Sequence, residues 1–93
     1  MILDLSLRNA DLYAGLDLRE QAGRSNLVTP PAEAIPVILR NLEAITIDRD
    51  EVVLTGSMAI WSYLVIFHWL HGRTKRIWYE DGRAERVLVA AHG

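Results

Sequence analysis

"VVLTGSMAIWSYLVIFHWLHG", residues 52–72, is the stretch on which the fold turns. Val52, Val53 and Leu54 are a short apolar run, the pattern of a buried strand, and they end at the turn-forming Thr55-Gly56-Ser57. From there to His71 the chain is apolar nearly all round. This predicts a helix over 58–71 that is either core or sandwiched between a sheet and a partner. Gly72 is a natural residue to end it. The longest apolar run, "MAIWSYLVIFHWL", covers residues 58–70. It is too short for a bilayer, whose core needs about 20 residues of helix.

Downstream, "TKRIWYE" and "ERVLVAA" flank Asp81-Gly82, the pattern of a hairpin closed by a primed two-residue turn. Upstream, Thr29-Pro30-Pro31-Ala32-Glu33 reads as a helix start. Ile35, Val37, Ile38, Leu39, Leu42 and Ile45 fall mostly on one face of a helix over 32–44, with Pro36 near its beginning. "ILDLSL" alternates, Asn9-Ala10-Asp11 is turn-like and "LYAGLDL" alternates again, which predicts an N-terminal hairpin of residues 2–7 and 12–18. "REQAGRSNLVTPP" has no apolar period and reads as a loop. The order is β-β-α-β-α-β-β. It fits an α+β sandwich, one mostly antiparallel sheet with two helices on one face, in a single domain of residues 1–93.

Composition bounds the function. The chain of 93 residues has no cysteine, which excludes disulfides and thiolate metal sites. "MILDLSLRNADLY" lacks the basic and apolar regions of a secretory signal, so a soluble cytoplasmic protein is expected. A hydrophobic share of 51% is generous for this length and suits a homodimer or a tight core. The formal net charge of −2 argues against general nucleic-acid binding, DNA included. The charge is uneven: residues 1–51 carry five basic and nine acidic side chains, residues 52–93 five and three. All three histidines lie in 68–92. A local basic patch on an acidic chain favours a small anionic ligand over a long polyanion.

Each candidate residue has a plain reading beside the functional one. His68 and His71 are three apart near a helix end, a spacing that can hold one metal ion through two imidazoles; they also fit a satisfied histidine and a cap. Asp81-Gly82-Arg83 is ordinary turn chemistry. Arg73, Lys75 and Arg76 protect a strand edge or contact phosphate. His92 is a site residue or a frayed end. The Thr55-Gly56-Ser57 turn offers N–H groups to an anion, but without the Gly-x-x-x-x-Gly-Lys of a phosphate-binding loop. Trp61, Trp69, Trp78, Tyr13, Tyr63 and Tyr79 read mainly as core, although Trp78 or Tyr79 is placed to stack on a base.

"LTGSMAIW", "FHWLHG", "IWYEDGR" and "VLVAAH", in that order between residues 53 and 92, resemble the CRISPR-associated Csx-three family of type III CRISPR systems. In that family a strand ending "(I/V)-S-G" leads to a helix beginning "P-I-W" and closing "H-x-x-H", followed by a "V-Y-D-P-R" hairpin and a strand ending in histidine. The resemblance implies a ferredoxin-like arrangement and a Mn²⁺-dependent ring nuclease that cleaves cyclic tetra-adenylate, the second messenger of that defence. It also implies homodimers, two of which sandwich one ligand. By position, catalysis falls to His71 and Asp81. Ligand contact falls to Thr55, Gly56, Ser57, Arg83 and His92, and metal binding to His68, His71 and Asp81. Ser57-Met58-Ala59 departs from the family's helix start. One extra residue before Asp81 makes Glu80 the alternative acid. Relatives continue beyond the position of Gly93 through another strand. Two other readings are a non-catalytic module that binds a cyclic oligonucleotide, as sensor or sponge, and a structural homo-oligomeric subunit.

Overall fold

The computed structural model describes residues 1–83 and 85–92. Its elements are β1 (Ile2–Asp4), β2 (Leu18–Gln21), β3 (Arg24–Leu27), α1 (Pro31–Ala44), β4 (Glu51–Thr55), α2 (Ile60–Leu70), β5 (Arg76–Glu80) and β6 (Arg86–Ala91). The order in the main sheet is β1-β4-β5-β6, and β2-β3 form a separate hairpin. The α+β class with two helices over one mixed sheet stands. Pairing is parallel at β1–β4 and β4–β5 and antiparallel at β5–β6. The antiparallel share is smaller than the alternation suggested, because residues 12–18 do not return as a strand beside β1.

Two parallel junctions in succession need two crossovers, and α1 and α2 supply them. Because both crossovers step across the sheet in the same direction, their helices share one face. Ala34, Ile38 and Leu42 of α1 and Ile66 and Leu70 of α2 form one cluster with Leu3, Leu5, Val52, Leu54 and Ile77 of the sheet layer. We call this the helix face. Val53 is also buried but lies outside that cluster, in register with Ile2 and Trp78 on the opposite, open face. Both faces of β4 are apolar, which is why its sequence runs rather than alternates. On β6, Val89 has no partner: Trp78 pairs with Leu88 and Ile77 with Ala90, a β-bulge.

The N-terminal third departs most from expectation. Asn9 organises a series of turns: its side-chain amide donates to the Asp4 carbonyl at 2.8 Å and its side-chain oxygen accepts from the Leu12 N–H at 3.3 Å. Leu12 and Tyr13 are thereby driven into the core. The Tyr13 hydroxyl donates to the Leu5 carbonyl, and burial raises its pKa. The expected loop of residues 19–31 contains a hairpin instead, closed by Ala22 and Gly23, both at positive φ. That is the geometry of a primed turn, hidden because β2 and β3 are almost wholly exposed and carry no apolar period. The C-terminal hairpin is wider than the two-residue turn expected. Glu80 pairs with Arg86, so residues 81–85 connect the strands.

Pro36 lies one turn beyond the start of α1 without breaking it. It is exposed, so the carbonyl its missing N–H leaves free is open to water.

Gly56 holds the strand ends together at φ +101°. A Cβ there would collide with the Asp4 carboxylate and come 2.8 Å from the Ser6 nitrogen. Asp4 accepts at that point from the Ser6 N–H at 2.8 Å and the Ser6 hydroxyl at 3.0 Å. Gly56→Ala therefore combines left-handed strain with a clash against backbone, and is expected to cost about 2 kcal/mol or more in urea unfolding.

Candidate functional site

At one end of the sheet, α2 stops at His71, whose extended backbone ends the helix while its N–H still donates to Phe67 O at 2.9 Å. β6 returns antiparallel to β5, and the His92 N–H donates to Lys75 O at 2.6 Å. These two constraints bring the last histidine to the helix end: His71 Nε2 and His92 Nε2 are 2.8 Å apart, with ring planes 74° to each other. A bond between two imidazole nitrogens requires one ring to carry its proton on Nε2 and the other to present a lone pair. The pair is exposed to solvent. Phe67 packs against His71 with ring centroids 5.9 Å apart.

The opposite end holds the β4–α2 turn and the β5–β6 loop. Thr55 Oγ1 donates to Glu80 O at 3.0 Å, tying the two together. Between them is a cavity of about 630 Å³, lined by Thr55, Gly56, Ser57, Tyr63, Glu80 and Asp81 among others. Asp81 Oδ1 accepts from the Arg83 N–H at 2.8 Å, so the carboxylate shapes the loop that presents it. The Glu80 carboxylate is engaged elsewhere, 3.6 Å from Arg86.

The predicted site residues thus form two groups: His71 with His92, and Thr55, Gly56, Ser57, Asp81 and Arg83. Lys75, against which His92 is held, and Asp81 are six steps apart along β5, roughly 20 Å at the rise of a strand. No single phosphate reaches both groups of one chain. His68 belongs to neither: it borders a groove with Ile35, Leu39 and Trp69 on the α1 side of α2. Arg73 lies over the Trp69 ring at 4.3 Å from its centroid.

Manganese prefers several nitrogen and oxygen donors around one point. His71 and His92 offer two imidazoles. His68 is on another side of α2 and Asp81 is at the far end of β5. Among the described residues, no three of His, Cys, Asp or Glu gather as a metal cluster.

Several contributors escaped the sequence reading. Tyr63 donates its hydroxyl to the Gly56 carbonyl and meets Tyr79 edge-on at 5.6 Å, forming one wall of the cavity. Arg8 and Arg24 border an adjoining groove of about 800 Å³ that also touches Ser57 and Trp61. Both arginines lie in the acidic half of the chain, so counting charge along the sequence hid them. The placement of Tyr63 one helical turn into α2 was the available signal.

Burial pushes the Tyr63 hydroxyl up to about 12, with a smaller contribution from Tyr79. The folded state therefore favours protonated Tyr63 more than the unfolded chain does. That stability is present below the ordinary tyrosine value near 10 and is lost as pH rises toward 12. Thermal midpoints measured from pH 9 to pH 12 are expected to fall, and to fall less steeply in Tyr63→Phe. Compared with protein-family models, curated proteins and solved structures, the chain gives no match.

Proposed function

We propose that the protein is a ring nuclease that opens cyclic tetra-adenylate at a phosphodiester bond. The reading is carried by the His71–His92 pair, two exposed imidazoles at hydrogen-bond distance, one presenting a lone pair and the other a proton in the bond between them. Phosphodiester cleavage uses those two states. The base removes the proton from the attacking hydroxyl, and the acid delivers a proton to the leaving oxygen as the P–O bond breaks. The Gly56-Ser57 turn and Arg83 bring backbone N–H groups and a guanidinium fork, the donors suited to phosphate oxygens. Mn²⁺ belongs to this reading through the family resemblance alone.

The separation of the two groups shapes the proposal. A ligand between two chains meets the histidine end of one and the turn end of the other, whereas one chain alone presents either end. A symmetric assembly around a ring with repeat symmetry supplies both. The same separation favours a second reading, a module that binds the cyclic ligand without cutting it.

Cyclic tetra-adenylate incubated with the protein, with and without Mn²⁺, and resolved by chromatography is expected to yield linear products. His71→Ala and His92→Ala should each slow cleavage about 10²–10⁴-fold. Arg83→Ala should act mainly through KM. An equimolar mixture of His71→Ala and Arg83→Ala chains should recover part of the rate by pairing intact ends. An intact ring overturns the nuclease reading. Saturable retention of that intact ring establishes the binding module, and no retention removes both.

A further inference from the structure

We propose that the groove between the β2–β3 hairpin and the start of α2 binds a small organic phosphate monoester with a flat apolar body. This does not rest on the nuclease reading, and the groove shares only Ser57 and Met58 with the cavity at Asp81. It is walled by the chain leaving β1 at Ser6, Leu7 and Arg8, by all of β3, and by the entry to α2. Its volume of about 800 Å³ is that of a small-molecule site. β2 and β3 are almost wholly exposed and add little to the core. What the hairpin supplies is this wall, with Arg24 set directly after the Ala22-Gly23 turn.

Charge selects the ligand. The chain carries 12 acidic residues against 10 basic, yet among the described residues the groove is lined by Arg8 and Arg24 and by no Asp or Glu. The ion pairs among the described residues involve neither arginine. The Asp4 carboxylate, behind this wall, is spent on the Ser6 N–H and hydroxyl. Two guanidinium forks without a counter-charge suit a dianion, and a phosphate monoester carries about −1.5 to −2 at pH 7. A phosphodiester carries a single charge per phosphate, so the groove is matched to a different ligand from the ring proposed above. Thr29 Oγ1 accepts from the Asp17 N–H at 2.9 Å, which leaves its own proton to donate, and Ser25 and Ser57 are exposed hydroxyls on the same groove. α2 is entered at Ala59 without a side-chain cap and without an acid in its first turn, which adds partial positive charge to that wall. The half-buried Leu27, Met58 and Trp61 line the same groove and give it the apolar surface on which a flat ring packs.

Phenyl phosphate titrated into the isotope-labelled chain is expected to give a saturable shift of the Trp61 indole N–H resonance, which Trp61→Phe identifies. In isothermal titration calorimetry, Arg8→Gln and Arg24→Gln should each weaken binding about tenfold or more. Both side chains are exposed, so the far-ultraviolet circular dichroism spectrum should not change. Arg49→Gln, which removes an exposed charge where β4 begins at the other end of the sheet, should bind as the wild type does. Inorganic phosphate, which has no ring, and diphenyl phosphate, a diester of single charge, should each bind about tenfold or more weakly than phenyl phosphate. No saturable shift of the Trp61 indole at millimolar phenyl phosphate overturns the proposal. So does wild-type affinity in Arg8→Gln or Arg24→Gln, an equal loss in Arg49→Gln, or diphenyl phosphate bound as tightly as the monoester.

Discussion

Parallel pairing of β4 with β1 on one edge and β5 on the other is the constraint from which the rest follows. Neither junction can be closed by a tight turn, so each carries a helix across the sheet. The two helices cover the same side because the steps run in the same direction. That leaves one side with a core and the other without one. It also fixes polarity, since both crossovers leave β1 and β4 at one end and enter β4 and β5 at the other. The turn before α2 and the end of α2 are therefore held at opposite ends of the sheet by the topology itself.

The two-ended character of the candidate site is a direct result. Strand-to-helix turns gather at the C-terminal ends of parallel strands, where backbone N–H groups and glycines lie. Helix-to-strand turns gather at the other end, where α2 stops and β6 returns. Residues as close in sequence as His71 and Asp81 are separated because β5 lies between them. Residues as far apart as Gly56 and Asp4 are brought together because β1 and β4 end side by side. Within one chain the two groups of candidate residues therefore stand at opposite ends of the sheet.

Much of this was legible in residues 30–80. An amphipathic α1, an apolar α2 and a strand without alternation each have one reading that satisfies their burial, and those elements agree with it within a residue or two. The N-terminal third was not legible for two reasons. Alternation in "LYAGLDL" is shared by a strand and by turns that bury Leu12 and Tyr13, and the Asn9 side chain that decides between them acts through tertiary contacts. The β2–β3 hairpin hides because neither of its faces is buried, leaving no apolar pattern to read. Of the site, the residue types and the turn at Gly56 were readable. The separation of Asp81 from His71 was not, because linear spacing does not say on which side of a strand's length a residue falls. Tyr63, Arg8 and Arg24 were missed because a cavity wall is a property of assembled elements.

The unpaired Val89 carries a consequence of parity. Residues opposite each other in an antiparallel pair share a face, so Trp78 and Leu88 lie on the open side and Ile77 and Ala90 on the helix side. Continuing that count puts His92 opposite Lys75, two positions from Ile77 and hence on the helix side, where α2 ends. Without the bulge, Val89 would pair with Ile77, Ala91 would stand opposite Lys75, and His92 would fall opposite Thr74 with its ring turned to the other side of the sheet. The meeting of the two histidines thus depends on one residue of β6 being left out of the pairing. Closing the bulge at constant length separates them with every side chain chemically intact, whereas removing Val89 together with the bulge leaves His92 opposite Lys75.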